Sequence, residues 1–380
     1  MSTFLGAVMG VFERLDLQAR PLFRAGLTTM ALVGMVALGS RGGRWLDPAL
    51  LGYLLASLFA CFGVAYRYWS WVERPATWMY MRHTLRLLAS PRGLVALPKM
   101  VLIALDQMIL QRFIERRSLK RWGAHALIAW GCLLAFAVTF PLVFGWVRFT
   151  SEGFNPNRYQ AWVFGFPAGS FPLDTPVAAL AFHALNVAAV MVIAGCVLAF
   201  VRRGQDEGDM ATQRFDLDIV PLLLLLAVSV TGMLLTASVT FLQGRNFGTI
   251  AYIHELTVIL LLISLPFGKL FHIVQRPAQI GVVLYKADGE AEGRQACVCC
   301  GLAFIRKNQR QDLEVLWERL GLEGARHASG HHHLDLCPKC KRRLVARAQD
   351  RRLGGAFDPF AHVPVHAEPQ VDAHTFGDSV

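Results

Sequence analysis

The sequence predicts an all-α integral membrane protein with about six transmembrane helices and a small cytoplasmic module that carries cysteines. Of its 380 residues, 54% are hydrophobic and 25 are Phe, and the mean hydropathy is +0.40. A large soluble helical core is disfavoured by this composition, and a multispanning membrane protein is the expected class. The N-terminus has acidic residues and no small-residue cleavage site, so we expect no removable signal peptide.

Six apolar stretches are long enough to cross a bilayer, which needs about 20 residues of helix. They are residues 23–40, 48–66, 124–146, 176–201, 218–241 and 248–272. Eleven lysines and arginines lie in residues 67–121, against five in the three loops on the other side of the predicted spans. The positive-inside rule therefore places residues 67–121 and both termini in the cytoplasm. The net charge of +11 is attributed to this topology. Membrane lipid is an expected partner, and no nucleic-acid partner is expected.

Composition divides the chain into five predicted regions. They are two N-terminal transmembrane helices (1–66), a basic cytoplasmic or interfacial segment (67–121), a four-helix bundle (122–277), a cysteine-containing cytoplasmic module (283–350) and a disordered tail (351–380). Residues 98–117 have apolar side chains at helical spacing and a basic end. They are predicted to form either a simple interfacial helix or a docking ledge for a cytosolic subunit. The loop 148–175 is expected to lie over the outer end of the bundle.

Four of the twelve histidines fall within the apolar spans: His125, His183, His254 and His272. Ionisable groups inside a membrane are costly and mark functional sites. His254 and His272 are 18 residues apart, about five turns at ~3.6 residues per turn, so a helix over residues 249–277 presents both on one face, roughly 27 Å apart. The predicted topology places His183 at the depth of His254, near the outer surface. It places His125 at the depth of His272, near the inner surface.

Two histidines at one depth match the axial ligation of a low-spin haem b, whose iron takes an imidazole on each face. We therefore predict an inner haem b held by His125 and His272 and an outer haem b held by His183 and His254, within a four-helix haem-binding bundle. Hydrogen bonding to a neighbouring helix, without a metal, is the other interpretation of each histidine.

Residues near these histidines have predicted roles of their own. Gly123 and Gly131 are expected to leave room for the macrocycle. Pro266 and Gly268, which separate His254 from His272, are expected to kink the helix. The basic residues predicted to meet haem propionates are Arg121, Arg245, Lys269 and Arg276. An anchor at the membrane interface is the other interpretation of each arginine.

The last span, with histidines 18 residues apart followed by Arg276 and Pro277, resembles the cytochrome b (gamma) subunit of respiratory nitrate reductase. The opening of the third span, RRSLKRWGAHALIAWG, is similar to the membrane subunits of heterodisulfide-reductase-like and dissimilatory-sulfite-reductase-associated complexes. The resemblance covers residues 98–277. In the nitrate reductase subunit the other two ligands share one helix, ten residues apart. Here Ala135 stands ten residues after His125, so His183 has to serve instead.

The resemblance implies a dihaem cytochrome b that anchors a respiratory oxidoreductase complex in a bacterial or archaeal cytoplasmic membrane. It would exchange electrons with the quinone pool and with cytosolic iron–sulfur or metal-cofactor subunits, the redox catalyst lying on a separate subunit. Glu255, beside His254, is a candidate proton relay for quinone, and a protonated, hydrogen-bonded acid is its other interpretation. The alternative function is a non-redox transporter or scaffold with structural or proton-carrying histidines. Binding of a single haem also stays open.

The C-terminal region carries two C-x-x-C pairs, Cys297 with Cys300 and Cys337 with Cys340. In a reducing cytosol such pairs bind metal more often than they form disulfides. Two of them give a tetrahedral site of four sulfurs, as in zinc ribbons and rubredoxin. Zinc is the first choice because the flanking lysines and arginines indicate a basic binding module. Iron is the alternative and would extend the electron-transfer chain. Cys299 is surplus in either case.

Overall fold

The computed structural model describes residues 19–152, 155–322 and 332–352. The chain divides into two compact units. We call the first, formed by residues up to 73 and by 101–277, the membrane unit; the second comprises residues 74–100 and 278 onward. The predicted basic segment 67–121 is therefore shared between two units and does not form a region of its own. Nearly all of the predicted disordered tail lies outside the described residues.

The helices and strands follow one another in chain order, with short 3-10 or π-helical turns between several of them. They are α1 Ala19–Gly39, α2 Leu51–Val72, α3 Pro75–Leu88, α4 Pro91–Ala104, α5 Arg112–Glu115, α6 Leu119–Val143, β1 Val147–Glu152, β2 Asn155–Val163, β3 Phe166–Pro172, α7 Pro176–Gly204, α8 Glu207–Thr212, α9 Val220–Phe241, α10 Phe247–Ser264, α11 His272–Gln275, α12 Gln279–Ala291, β4 Arg294–Ala296, β5 Ala303–Arg306, α13 Lys307–Arg319 and α14 Pro338–Arg352. Six of the described helices, α1, α2, α6, α7, α9 and α10, are long and apolar enough to cross a membrane. The predicted multi-pass membrane protein is thereby confirmed.

The predicted outer loop contains a three-stranded antiparallel sheet in the order β1-β2-β3, which the helical prediction did not include. Val163 pairs with Phe166 across a two-residue turn. The turn residues Phe164 and Gly165 have φ of 47° and 85°, the positive values that tight hairpins require. The sheet packs on α7 through Phe149 and other aromatic rings, which surround the Phe182 ring.

Small residues on α2 allow α10 to approach closely. Ala56 and Ala60 are buried against Leu262. A Cβ on Gly63 would lie 2.6 Å from a ring carbon of Pro266, so only glycine fits there. Close approach through small side chains is how membrane helices gain packing energy without a hydrophobic driving force between them.

Glycines also allow α6 and α7 to pack closely together. A Cβ on Gly131 would lie 2.9 Å from the carbonyl oxygen of Ala188, and a Cβ on Gly195 would lie 2.9 Å from that of Ala124. The space beside Gly131 is therefore filled by α7, and the prediction that this glycine leaves room for a macrocycle is wrong. Gly123 has no atom within 4 Å of its Cβ position.

The predicted continuous helix over residues 249–277 is also wrong. α10 ends at Ser264, and the chain passes through a 3-10 turn at Lys269–Phe271 before α11 begins at His272. Pro266 has no N–H to continue the helical ladder, and its ring clashes with the preceding turn. His254 and His272 consequently lie on separate helices, and their shared helical face does not exist.

The break in the helix leaves backbone carbonyl oxygens without helical N–H donors, and Arg67 of α2 donates hydrogen bonds to two of them. Its guanidinium donates to the carbonyl oxygens of Pro266 at 2.6 Å and Gly268 at 3.0 Å. The same group lies over the Phe271 ring, 4.3 Å from its centre. Irregular backbone at membrane depth is tolerated only where protein groups satisfy it, so Arg67 makes the break possible.

The second unit combines α3 with the chain that follows residue 278. Tyr285 of α12 is 2% exposed and packs edge-on against Tyr80 and His83 of α3. Its hydroxyl donates to Asp312 of α13 at 2.6 Å. Burial and the Asp312 carboxylate both raise the pKa of Tyr285, which keeps it a neutral donor. The predicted module 283–350 is thus one part of a unit that also contains α3.

Candidate functional site

The structure brings together the predicted inner pair, His125 of α6 and His272 at the start of α11. Their ring centres lie 6.1 Å apart, and the ring planes are inclined by 58°. Both side chains are partly buried. Two imidazoles from distant segments thus converge on one small space.

Each ring of this pair is oriented through its Nδ1 atom. His125 Nδ1 lies 2.7 Å from Oε1 of Gln111, and His272 Nδ1 lies 2.7 Å from the carbonyl oxygen of Lys269. Both oxygens accept, so each Nδ1 carries the proton, and Nε2 keeps its lone pair. No described residue hydrogen-bonds to either Nε2. A metal-binding histidine typically has this arrangement, with one nitrogen anchored to an oxygen and the other free.

Gln111 is the residue of this site that sequence reasoning missed. It is 6% exposed and has φ of 54°, in the left-handed region that non-glycine residues rarely adopt. This conformation separates the π-helical turn that ends at Ile109 from α5. A lone glutamine within an amphipathic segment gives no sequence signal for such a role.

His254 has an anchored ring as well. Its Nδ1 lies 2.9 Å from Oγ1 of Thr231, whose own proton goes to the carbonyl oxygen of Ala227 at 2.7 Å. The threonine oxygen therefore accepts from Nδ1. The ring also lies within hydrogen-bonding reach of the Val228 backbone. Gly232 of α9 lets the ring approach, since its Cβ position is 3.3 Å from Cε1 of His254.

His183 is held in the opposite way. Its exposed ring accepts at Nδ1 from Nδ2 of Asn186, 3.2 Å away, while Oδ1 of Asn186 accepts from Thr236 at 2.8 Å. The ring proton is then on Nε2. Its ring makes no contact with the ring of His254. The structure does not bring together the predicted outer pair.

Two of the four predicted propionate partners form ion pairs with aspartates. Arg121 lies 3.5 Å from a carboxylate oxygen of Asp206, and Lys269 pairs with Asp218. Lys269 thus orients His272 through its carbonyl oxygen while its ammonium group is engaged elsewhere. A propionate would have to compete with these aspartates.

The remaining predicted cations and Glu255 have different surroundings. The Arg276 guanidinium lies over the Phe113 ring, 4.4 Å from its centre. Arg245 is exposed. Glu255 is partly buried, and its Oε1 would lie 2.4 Å from a Cβ on Gly52 of α2. The missing side chain of Gly52 is what makes space for this carboxyl.

The four predicted cysteine ligands form one compact cluster. The sulfurs of Cys297, Cys300, Cys337 and Cys340 all lie within 4.8 Å of one another. Three of the four are buried. The cluster could therefore hold a metal ion such as zinc or iron, as the two C-x-x-C pairs predict.

Local hydrogen bonds prepare this cluster for a cation. Burial opposes ionisation of Cys297, but the backbone N–H groups of Cys337, Cys299 and Cys300 donate to its sulfur and lower its pKa to about 7. The Cys337 N–H lies 3.2 Å from that sulfur. Burial and the neighbouring thiols raise the pKa of Cys340. One thiolate is thus favoured before a metal arrives, since a bound cation needs thiolate ligands.

Asp335 braces the cluster, and sequence reasoning did not identify it. This carboxylate is 8% exposed and accepts from Nε of Arg310 at 2.7 Å, Nε2 of Gln295 at 3.1 Å and the His332 N–H at 2.9 Å. It therefore ties β4 and α13 to the turn that precedes Cys337.

No family model, curated protein or solved structure matches the chain. The side chains themselves therefore carry the functional argument. The groups suited to hold metal are His125 and His272, whose Nδ1 atoms are anchored to oxygens, and the four converging thiols.

Proposed function

We propose that this protein is a quinone-reactive cytochrome b that anchors a respiratory oxidoreductase complex in a bacterial or archaeal cytoplasmic membrane. It would pass electrons between the quinone pool and a cytosolic iron–sulfur or metal-cofactor subunit. The observation that carries the proposal is the convergence of His125 and His272 with both Nδ1 atoms anchored. Six membrane-crossing helices and the resemblance described above support it.

His125 and His272 are the residues that would hold the iron of a haem b at the inner site, one imidazole each. Bonds from a metal to an imidazole nitrogen are about 2 Å long and each ring centre lies roughly 1 Å beyond its nitrogen, so two such rings face each other about 6 Å apart. The distance between the His125 and His272 ring centres is 6.1 Å. A haem bound there would carry one electron at a time as its iron changes oxidation state. The protein orients both ligands, and hydrogen bonds to their Nδ1–H groups increase the basicity of Nε2.

The proposed outer haem needs a change at His183. His254 is already oriented, but His183 would have to reverse its hydrogen bond with Asn186 to offer a free Nε2. A protein with one haem, at the inner site, is the second candidate. It is favoured by the exposed position of His183 and by the absence of contact between the His183 and His254 rings.

We place the quinone reaction near Glu255, beside His254. The carboxyl is partly buried and lies against Gly52, so it could accept a proton from quinol and release it to the outer side. Electrons would then move inward toward His272, where cationic residues and the cytoplasmic surface lie in the predicted topology. Both termini are cytoplasmic in this proposal.

The four-cysteine site completes the proposal as a docking module. We assign zinc to it because Lys339, Lys341, Arg342 and Arg343 make it a basic binding surface. Iron, as in rubredoxin, would instead add an electron carrier. Metal analysis of the purified full-length protein separates these assignments: about one zinc per chain supports docking, and iron with rubredoxin-like absorption supports electron transfer.

The visible spectrum of purified protein tests the function. We expect a reducible haem b band and one or two haems per chain. His272→Ala should remove one haem completely, whereas His183→Ala serves as a matched membrane histidine that leaves the inner haem in place. A reduced-minus-oxidised spectrum without any haem band, from protein that retains its metal and its helicity, would rule out the redox function. The non-redox transporter or scaffold would then remain.

A further inference from the structure

The second unit contains a cleft between α3 and α13 that the proposed function does not use. Its space is about 100 Å³, enough for several water molecules. Three arginines line it, Arg82 and Arg86 from α3 and Arg319 at the end of α13. Arg82 and Arg86 are four residues apart, so they lie on the same face of their helix.

The charge of these arginines is not neutralised within the cleft. All three side chains are exposed, and none forms an ion pair with a described residue. Asp312 is the one carboxylate that lines the cleft, and it accepts a hydrogen bond from the buried Tyr285 hydroxyl at 2.6 Å. Counted formally, three guanidinium groups and one carboxylate leave the lining with a net charge of about +2, since the guanidinium group does not deprotonate.

Apart from His83, which pairs with Asp288, apolar side chains form the rest of the cleft. Trp78 of α3 and Leu316 of α13 line it together with other hydrophobic residues. Guanidinium groups next to apolar side chains match a ligand that has an anionic head and an uncharged part. Contact between the ligand and the apolar side chains would exclude water, which strengthens hydrogen bonds between charged groups.

We propose that this cleft binds a phosphate group. Planar guanidinium groups donate in pairs to phosphate oxygens, and three of them surround one small space. A phosphate monoester or diester carries one to two negative charges near pH 7, which balances the charge of the cleft.

Chain connectivity makes a phospholipid head group the expected source of that phosphate. Only Glu73 and Arg74 separate the end of α2 from Pro75, which begins α3 and lines the cleft. Pro75, which lines the cleft, therefore follows the membrane-crossing helix α2 after only two residues. Basic clusters next to a transmembrane helix favour anionic lipid. A free phosphate solute offers the same chemistry and is the other source.

The test uses full-length protein and three single variants, Arg82→Gln, Arg86→Gln and Arg319→Gln, with Arg352→Gln at the end of α14 as the control. Arg352 is an exposed arginine in the same unit and does not line the cleft. In one arm, native mass spectrometry counts phosphatidylglycerol retained from mixed phosphatidylglycerol–phosphatidylcholine nanodiscs. In the other, calorimetry measures binding of inorganic phosphate to protein in neutral detergent. Metal content and melting temperature verify folding.

We expect each cleft variant to weaken retention of one phosphatidylglycerol molecule by about tenfold, the loss typical of one charge-assisted hydrogen-bonding group. Phosphatidylcholine retention and the control should be unchanged. Inorganic phosphate that binds about tenfold more weakly to the cleft variants, without a lipid difference, would identify a solute as the source and support the same site. Equal binding of both probes to folded cleft variants and to the control would overturn the proposal.

Discussion

The imidazole rings of His125 and His272 lie 6.1 Å apart, and each turns its Nδ1 toward a neutral oxygen. The acceptors are the Gln111 side chain and the Lys269 main chain, on separate segments. The two Nε2 atoms are thus both available as ligands. This relationship, rather than the shared helical face of His254 and His272, supports the proposed haem site.

The first prediction concerns Gln111. Gln111→Gly removes the hydrogen bond to His125 and also relieves the left-handed backbone, because glycine adopts φ of 54° without strain. We expect haem affinity at the inner site to fall about 10- to 100-fold, the usual cost of losing a partner of a metal-bound histidine. Haem titration of apoprotein measures it. Gln107→Leu, on the preceding turn, should leave affinity unchanged. Normal affinity in Gln111→Gly would show that the amide does not orient His125.

The second prediction concerns the break in the last membrane segment. Arg67→Met leaves the carbonyl oxygens of Pro266 and Gly268 without their donor. We expect a loss of about 1–3 kcal/mol in the free energy of unfolding and a melting temperature lower by several degrees. Arg44→Met, which changes an exposed arginine of the predicted outer side, is the control. Equal melting temperatures for the two variants would argue against a role of Arg67 in stabilising the break.

The third prediction concerns Glu255. Gly52→Ala would place a methyl group 2.4 Å from the present position of Oε1 of Glu255, so the carboxyl must move. If Glu255 relays protons, Gly52→Ala and Glu255→Gln should both slow quinol oxidation, by about tenfold or more. Haem content should not change. Gly26→Ala adds a methyl group where no atom lies within 4 Å and should react at the normal rate. Unimpaired quinol oxidation in Glu255→Gln would exclude the relay.

The fourth prediction concerns Asp335. Asp335→Asn keeps the shape of the side chain but removes one of the two carboxylates that pair with the Arg310 guanidinium, which is 14% exposed; Glu314 is the other. We expect a loss of about 1–3 kcal/mol in the stability of the second unit and weaker metal retention during chelator challenge. Glu318→Gln, on the exposed surface of α13, is the control. Metal release at the same rate from both variants would contradict the bracing role.

The pH dependence of this brace has a definite sign. Burial raises the pKa of Asp335, but the hydrogen bonds from Arg310 and the His332 N–H outweigh this effect and lower it below the usual value. The ionised carboxylate therefore stabilises the fold at all pH values above about 4, and this contribution is lost as the pH falls further. Unfolding of the wild type should show this loss in acid, and Asp335→Asn should lack it.

Several features of this protein are determined by the sequence alone. Whether a segment crosses the membrane depends on the hydrophobicity of about 20 consecutive residues. All six spans could therefore be predicted from the sequence. The cysteine site could also be predicted, because each C-x-x-C pair positions two sulfurs within one turn of chain. His125, at the start of α6, and His272, beyond the end of α10, were predicted to lie on the same side of the membrane, and the structure brings their rings together.

Other features are decided only by the tertiary structure. Arg67 is 199 residues from Pro266. No local sequence pattern indicates that the Arg67 guanidinium donates a hydrogen bond to the Pro266 carbonyl oxygen. Pro266 could be expected to bend its helix, but whether the chain bends or stops depends on the donor that α2 supplies. Gln111 reaches His125 through a left-handed residue that sequence patterns do not reveal. His183 and His254 were predicted to pair because they lie at the same depth in the membrane. Equal depth does not determine how far apart two side chains lie parallel to the membrane surface. The direction in which each ring points is set by the packing of neighbouring helices and by the hydrogen bonds that His183 accepts from Asn186 and His254 donates to Thr231.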